Sequence, residues 1–443
     1  MPDDKTAPQF VASACPHDCP STCAIEVERI DAHTIGRVRG AAENSYTDGV
    51  ICAKVARYVE RARHPDRLTR PLRRVGPKGS GRFEPIDWNT ALDIVADAFK
   101  TAARQYGPAS VWPYYSAGTM GHVHRDGIVR LARAMGYSVM NKTICGHIAE
   151  TGWLAGVGSR IGVDPREMAD SDLIVMWGGN PVNTQVNIMT WVARARKKRN
   201  AKFVVVDPYR TGTAEQADLH LMPRPGTDGA LACAVMHVLF KEGFADRAYL
   251  ARYTDCPDAL EAHLASRDPA WAEGVSGVPA ASIVEFARLY GRTPRAYLRM
   301  GWGFSRQRNG VANVHAVSCL PAITGAWQHR GGGAHWAYSI YRLNKSAIEG
   351  VALGPSAARA MDQSRIGAAL TGEADELKGG PPVAAMLIQN TNPAVVCPNT
   401  NKVRRGLMRD DLFVCVHDQF MTETAALADI VLPATMFMEH NDY

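Results

Sequence analysis

At 443 residues, with 46% hydrophobic and 21% charged side chains, the sequence can bury several apolar cores, and roughly 150 residues per domain gives about three domains. The net charge of +6 is modest, and its densest basic run, Arg-Lys-Lys-Arg at 196–199, closes a helical segment where cations suit the dipole, so nucleic acid is not indicated. No window approaches the roughly 18 consecutive apolar residues of a membrane span, and MPDDKTAPQF has neither a basic n-region, an apolar h-region nor a twin arginine; the expectation is a cytoplasmic protein.

Ten cysteines in a reducing compartment are ligands or core residues rather than disulfides. The first four stand together in the chain: Cys15, Cys19 and Cys23 at four-residue steps, then Cys52 beyond a glycine-containing gap. Three clustered thiolates plus one distant thiolate can place one cysteine on each iron of a [4Fe–4S] cluster. A structural zinc site tolerates these spacings but normally groups its ligands as two pairs. A radical S-adenosylmethionine site needs a shorter second gap and an open iron. Burial as core is disfavoured by the surrounding Pro, Asp and Ser. The cluster is favoured over zinc, and zinc over no metal. Lys54, two residues past Cys52, is either a polar bridge to a second redox group or an ordinary surface lysine.

Strands and helices then alternate. DWNTALDIVADAFKTAA places Leu92, Val95, Phe99 and Ala102 on one helical face, with Asp87 or Asn89 as cap. SVWPYYSAG reads as a strand ending in a glycine turn, and DGIVRLARAMG as another amphipathic helix. Short apolar strands joined by helices predict parallel α/β sheets.

Two later segments repeat. DLIVMWGGNPV at 172–182 matches AAMLIQNTNPA at 384–394, and both are followed by an acid-ended strand and then Thr-Ala-x-x-Ala-Asp-x-x-Leu, starting at Thr213 and Thr424. A repeat this long is no solenoid; it predicts two doubly wound domains, which bind ligands at the carboxyl ends of their strands. In the first copy Gly178, Gly179 and Asn180 form the phosphate-type turn and Asp207 suits a ribose; Pro225, Gly226 and Asp228 form a further turn, with Asp228 available to a base. The second-copy counterparts are Asn390, Asn392, Asp418 and Thr424. Any one of these is explained as a turn or cap residue; the spaced set is explained less well that way. No GxGxxG or GxxxxGK[ST] occurs, so neither a nicotinamide nor a P-loop nucleotide site is supported.

From Cys15 to its last residue the sequence resembles the molybdopterin-dependent oxidoreductases of the dimethyl sulfoxide reductase class. The markers are the cysteine set with CAK, WGGNPVN, VVVDPYRTGTAEQADLHL, PGTDGAL, GWGFSRQRNG, LPAITGAW before RGGG, and TETAALADIVLPAT. The resemblance implies a [4Fe–4S] cluster and molybdenum or tungsten held by bis(molybdopterin guanine dinucleotide), one dinucleotide per repeat half. It implies that Lys54 lies between cluster and pterin, and that Gly301, Gly303, Arg306 and Asn309 line the pocket of the second dinucleotide. It implies Cys145, in NKTICGHIAETGW, as the metal's protein ligand, against the alternative of a buried free cysteine, and it leaves His147 as a proton carrier in the pocket or a solvent-exposed or capping histidine.

The expected architecture is α/β: a small iron–sulfur domain at 10–70, an α/β dinucleotide domain from 71–139 and 300–443, and a related α/β domain inserted at 140–299. The expected function is two-electron or oxygen-atom transfer to a small-molecule substrate, with electrons passed through the cluster to a redox partner protein or subunit. The alternative is a non-catalytic iron–sulfur electron-transfer subunit resembling the large subunit of respiratory complex I. Formate dehydrogenases of this class carry a histidine directly after the metal-binding residue; Gly146 stands here, which counts against formate. Members of the class continue into a C-terminal cap domain absent from this sequence. Either the sequence is a fragment or a separate polypeptide supplies the cap, as in formylmethanofuran dehydrogenases, and weak cofactor retention by the isolated chain is expected.

Overall fold

The computed structural model describes residues 9–337, 344–354 and 359–443. The chain begins with an antiparallel sheet of β1 (Gln9–Ala14), β2 (Ala24–Arg29) and β3 (Ile35–Gly40), in that order. Along β2 the alternation of Ile25 and Val27 with Glu26 and Glu28 buries one face only. Its apolar side packs with Val38, Val55, Tyr58 and, from the far end of the chain, Met436.

β4 (Leu72–Arg74) and β5 (Phe83–Pro85) lead to a helix at Trp88–Tyr106, whose N-cap Asp87 accepts the Thr90 N–H at 2.9 Å. The buried face is Ala91, Val95, Phe99 and Ala102; Leu92, expected inside, is half exposed because Ala91 holds the inward position of the first turn. β6 (Val111–Tyr115), the helix His122–Met135 and β7 (Val139–Asn141) follow.

The inserted unit is built on β8 (Leu173–Trp177), β9 (Lys202–Val206), β10 (Leu219–Leu221), β11 (Ala296–Met300) and β12 (Gly333–His335). These strands are parallel in the order β10-β9-β8-β11-β12, a doubly wound sheet whose order reverses between β8 and β11. β8 is apolar throughout because both faces are covered: Leu173, Val175 and Trp177 enter one core, Ile174 and Met176 another. β12 pairs with β11 in the register Tyr297↔Gly333, and Val314, Val317, Leu320 and Ile323 share the core of this sheet. The border expected at 300 therefore falls inside the inserted unit, whose sheet extends through His335.

The chain returns through β13 (Ala360–Asp362), which pairs in parallel with β7, so the exit and re-entry strands lie side by side. β14 (Ala385–Gln389), β15 (Phe413–Asp418) and β16 (Ile430–Pro433) complete a six-stranded sheet of order β5-β4-β16-β15-β14-β6. Its parallel part repeats the inserted sheet, with β14, β15 and β16 in the places of β8, β9 and β10, and β6 in the place of β11. The molecule is thus two related α/β units, one inserted in the other, behind a small cysteine-bearing domain.

Candidate cluster and cofactor site

Cys15, Cys19 and Cys23 occupy the long loop of the β1–β2 hairpin, closed by the Cys15 N–H donating to Cys23 O at 2.9 Å. Cys52 caps the short helix Ala53–Ala56, and its carbonyl accepts the Val55 and Ala56 N–H groups. The four thiols face one another. Burial, then the neighbouring Cys15, Cys19 and Cys52, push the Cys23 thiol up to about 12, and burial with Cys19 and Cys52 raises Cys15. Such a set ionises together only around a cation. Among the described residues no three cysteines have sulfurs within 4.8 Å of one another, whereas four sulfurs on one zinc, each at about 2.3 Å, would lie about 3.8 Å apart. The wider spacing fits a cluster with one cysteine per iron.

The thiols open into a cavity of about 390 Å³ whose opposite wall is the reversal point of the inserted sheet. There Gly178, Gly179 and Asn180 follow β8, and Gly301, Gly303 and Arg306 follow β11. The Gly301 N–H donates to Trp177 O at 2.8 Å and the Gly303 N–H to Gly178 O at 2.9 Å. A Cβ on Gly301 would lie 2.2 Å from Gly178 O, so only glycine lets these two turns touch. This corrects one expectation. Gly301, Gly303 and Arg306 line the first copy's cleft rather than the second's, because β11 pairs with β8; Asn309 lies outside that lining but is also tied to the first unit, its Nδ2 donating to Gly226 O at 2.8 Å.

Asn180 is fixed by a clasp: Thr213 Oγ1 donates to Asn180 Oδ1 at 2.6 Å and accepts the Val182 N–H at 3.2 Å. Further along the same rim, outside the enclosed cavity, lie Asp207 and Asp228. Burial raises both carboxyls, and the Trp177 Nε1–H donates to Asp228 Oδ1 at 2.8 Å. The turn of Pro225 and Gly226 is tied down through Gly226 O, which also accepts from Asn313 Nδ2 at 3.3 Å.

The second unit carries a corresponding cleft of about 320 Å³ at its own reversal point, between the turns after β14 and β6. Thr424 Oγ1 donates to Asn392 Oδ1 at 2.6 Å and accepts the Ala394 N–H at 3.1 Å, the same clasp as in the first copy. Asn392 and Asp418 line this cleft, and burial raises the Asp418 carboxyl. Facing them are Gly118, Thr119, His124 and Arg61. A Cβ on Gly118 would lie 2.8 Å from Asn390 O, the counterpart of the Gly301 approach. The glycine turn after β6 was visible in the sequence, but its pairing with Asn390 was hidden because β6 precedes its partners in the chain.

Cys145 lines the first cavity and caps the helix Gly146–Val157 with φ 67° and ψ −121°, a strained conformation for a residue with a Cβ. Burial, then Asp18, push its thiol up, and Arg306 pulls it down. Asp18 is a cavity residue that spacing alone did not mark. Lys54 lines the same cavity, its Nζ donating to Asn183 O at 2.7 Å and so linking the cysteine domain to the turn after β8. His147 does not join them: it is exposed and lies outside the residues lining the cavity, one position beyond the strained cap.

The family model described as "Molybdopterin oxidoreductase" matches residues 67–443, and that described as "Molybdopterin oxidoreductase Fe4S4 domain" matches 8–64. The chain belongs to the molybdopterin oxidoreductases, in the dimethyl sulfoxide reductase class. It is similar to "Probable oxidoreductase YoaE" of Bacillus subtilis (39% identical over 434 residues, covering 97% of this chain and 63% of that protein). It is also similar to dimethyl sulfoxide reductase DmsA of Escherichia coli (28% identical over 492 residues, covering 99% and 60%). Among solved structures, acetylene hydratase from Pelobacter acetylenicus shares the fold, with TM-score 0.76 and 24% identity over 94% of this chain and 62% of that one. The chain thus spans about three fifths of the length of these relatives.

The cofactors of this molybdopterin oxidoreductase are a [4Fe–4S] cluster and a molybdopterin carrying molybdenum or tungsten. The residues fit them. Four converging thiols are spaced too widely for one zinc, and a glycine-only cradle stands at the sheet reversal opposite. No helix among the described residues is long and apolar enough to cross a membrane.

Proposed function

We propose that this chain is the cofactor-bearing part of an oxidoreductase in which Cys145 ligates the molybdenum or tungsten and the two clefts each hold one pterin dinucleotide. The observation that carries this reading is Cys145 itself, a non-glycine residue held at positive φ in the cavity that the cluster cysteines and the first glycine cradle share. Such strain persists where surroundings over-determine it, and it clusters at functional sites. A thiolate is a soft ligand suited to this metal. When bound, the metal–pterin group supplies two-electron or oxygen-atom exchange.

The chain's own residues divide the remaining tasks. Cys15, Cys19, Cys23 and Cys52 hold the cluster. Lys54, anchored on Asn183 O, bridges the cluster side to the cofactor side. Gly178, Gly179, Asn180, Gly301 and Gly303 would let the first dinucleotide approach the backbone, and Asp207 and Asp228 would offer it carboxylates; Asn392 and Asp418 would serve the second. Asp18 and Arg306 set opposite charges beside Cys145. The paired clefts and the strained thiol favour an enzyme over a non-catalytic electron-transfer subunit, which has no use for either. A cluster held by these four cysteines would supply one-electron exchange with a redox partner. Several relatives are named as chains or subunits, among them "F420-dependent formate dehydrogenase 1 subunit alpha" of Methanococcus maripaludis, which supports such a partner.

The test is metal analysis of the chain purified without oxygen. About four irons with molybdenum or tungsten are expected. Cys145→Ala should lose the molybdenum or tungsten while keeping its iron. Retention of that metal by Cys145→Ala would remove the thiol from the ligand set, and zinc in place of iron would overturn the cluster assignment.

A further inference from the structure

Arg299 is a buried charge with no acid to pair with among the described residues. It sits on β11, only 3% exposed, and lines the first cavity. Its Nη1 donates to the main-chain oxygens of Met300 and, at 2.8 Å, Trp336, and its Nη2 donates to Gln185 Oε1 at 2.7 Å. Its Nε has no hydrogen-bond partner. The titratable groups around it are Tyr46, Tyr297, His335 and Cys19. Burial keeps both tyrosines protonated, and burial together with Arg299 keeps His335 neutral. Among the described residues around it Cys19 is the one thiol, and it belongs to the four-cysteine set that lines the same cavity.

A guanidinium is kept out of water only when an anion compensates it. The hydrogen bonds around Arg299 lead toward that anion. Gln185 Oε1 accepts from Arg299, Gln185 Nε2 donates to Tyr46 Oη at 2.8 Å, and Tyr46 Oη donates to Pro20 O at 3.2 Å, on the residue that follows Cys19. The Gln185 amide thus accepts from the cation at one end and donates toward the cysteine loop at the other, which orients the relay.

We propose that Arg299 is the buried counter-charge of the [4Fe–4S] cluster, acting through Cys19 and the Gln185–Tyr46 relay to favour the reduced cluster and so to set its reduction potential. This rests on the cluster assignment above. The step concerned is the gain of one electron: no bond forms or breaks, no proton moves, and the cluster with its four thiolates becomes one charge more negative. A fixed positive charge stabilises the more negative form. At an effective dielectric of about 20, a unit charge at about 10 Å shifts such an equilibrium roughly tenfold.

The experiment is a redox titration with dithionite and an oxidant, following the EPR signal of the reduced cluster in the whole chain purified anaerobically. Arg299→Met should disfavour reduction roughly tenfold, a midpoint about 59 mV more negative for a one-electron couple. Arg299→Lys, which keeps the charge, should restore most of that shift. Gln185→Glu keeps the shape and sets a carboxylate against Nη2, so it should move the midpoint in the same direction with Arg299 still present. An unmoved midpoint in Arg299→Met with its irons intact overturns the proposal. Should that variant fail to fold, an unmoved midpoint in Gln185→Glu overturns it. Wild-type chain without iron or a reduced-cluster signal would overturn the cluster assignment and the proposal with it, a result distinct from an unmoved midpoint.

Discussion

Asp126 shows how strongly single side chains are constrained around these clefts. It is 1% exposed, and it accepts from Arg125 Nε and Nη2, both at 2.9 Å, and from Lys345 Nζ at 2.8 Å. Burial raises its carboxyl, but the hydrogen bonds and charges of Arg125 and Lys345 outweigh burial and hold it well below the ordinary carboxylate range. A carboxyl depressed in the folded state contributes stability that is present above its unfolded value of about 3.9 and is lost as pH falls through the folded one. Denaturant midpoints should therefore fall as pH drops below about 4. Asp126→Asn should flatten that acid slope and cost about 1–3 kcal/mol at neutral pH, because it leaves the partly buried Arg125 and Lys345 without their carboxylate. At this scale the sequence was legible where spacing carries chemistry, as in the four cysteines with Lys54. It was silent on Arg299 and Asp18, whose roles come from neighbours more than a hundred residues away. For His147, adjacency to Cys145 left a pocket role and a solvent-exposed one open, and the structure places it exposed and outside the cavity lining.

The repeated unit of strand, Asn-containing turn and buried threonine is the element on which both clefts are built. Its clasp is made twice with the same 2.6 Å Thr–Asn bond, and both threonines are fully buried. Thr213→Val and Thr424→Val keep the shape but leave an asparagine oxygen and a backbone N–H without the hydroxyl. Each should lower unfolding free energy by about 1–3 kcal/mol in urea titrations. If the clefts are equivalent, each variant should also weaken retention of its own dinucleotide only, read as pterin per chain falling from two toward one. The clasp was legible because both its ends lie in the repeated stretch. The fourth strand of each unit was not, because β11 follows its partners while β6 precedes them, so no linear comparison aligns Gly301 with Gly118. The border near 300 failed for a similar reason. β12 is three residues long, too short for a periodic signal, yet its pairing with β11 decides which unit owns residues 301–335.

Across the whole molecule the cysteine domain ties the two units together. Ser21 Oγ donates to Asn187 Oδ1 at 2.6 Å on one side, while the Met120 N–H donates to Pro16 O at 2.9 Å and Met436 enters its core on the other. His17 closes this join, bonded to Tyr58 Oη at 2.8 Å and lining both clefts.

The side-by-side pairing of β7 with β13 also implies an order in time. Strand β6 must wait for β14, which leaves the ribosome roughly 270 residues later. At about 5–20 residues per second that is about 15–50 s. Within the interval the five strands of the inserted unit emerge complete and can close on themselves. Stalled nascent chains ending near residue 380 should thus yield a protease-resistant piece spanning about 145–337 while residues 71–139 are still digested. Simultaneous protection of both would mean that the halves of the outer sheet are held together before synthesis joins them. The second cleft therefore takes shape after the first, and a cofactor that needs both clefts can be held only once β14 and β15 have joined β6.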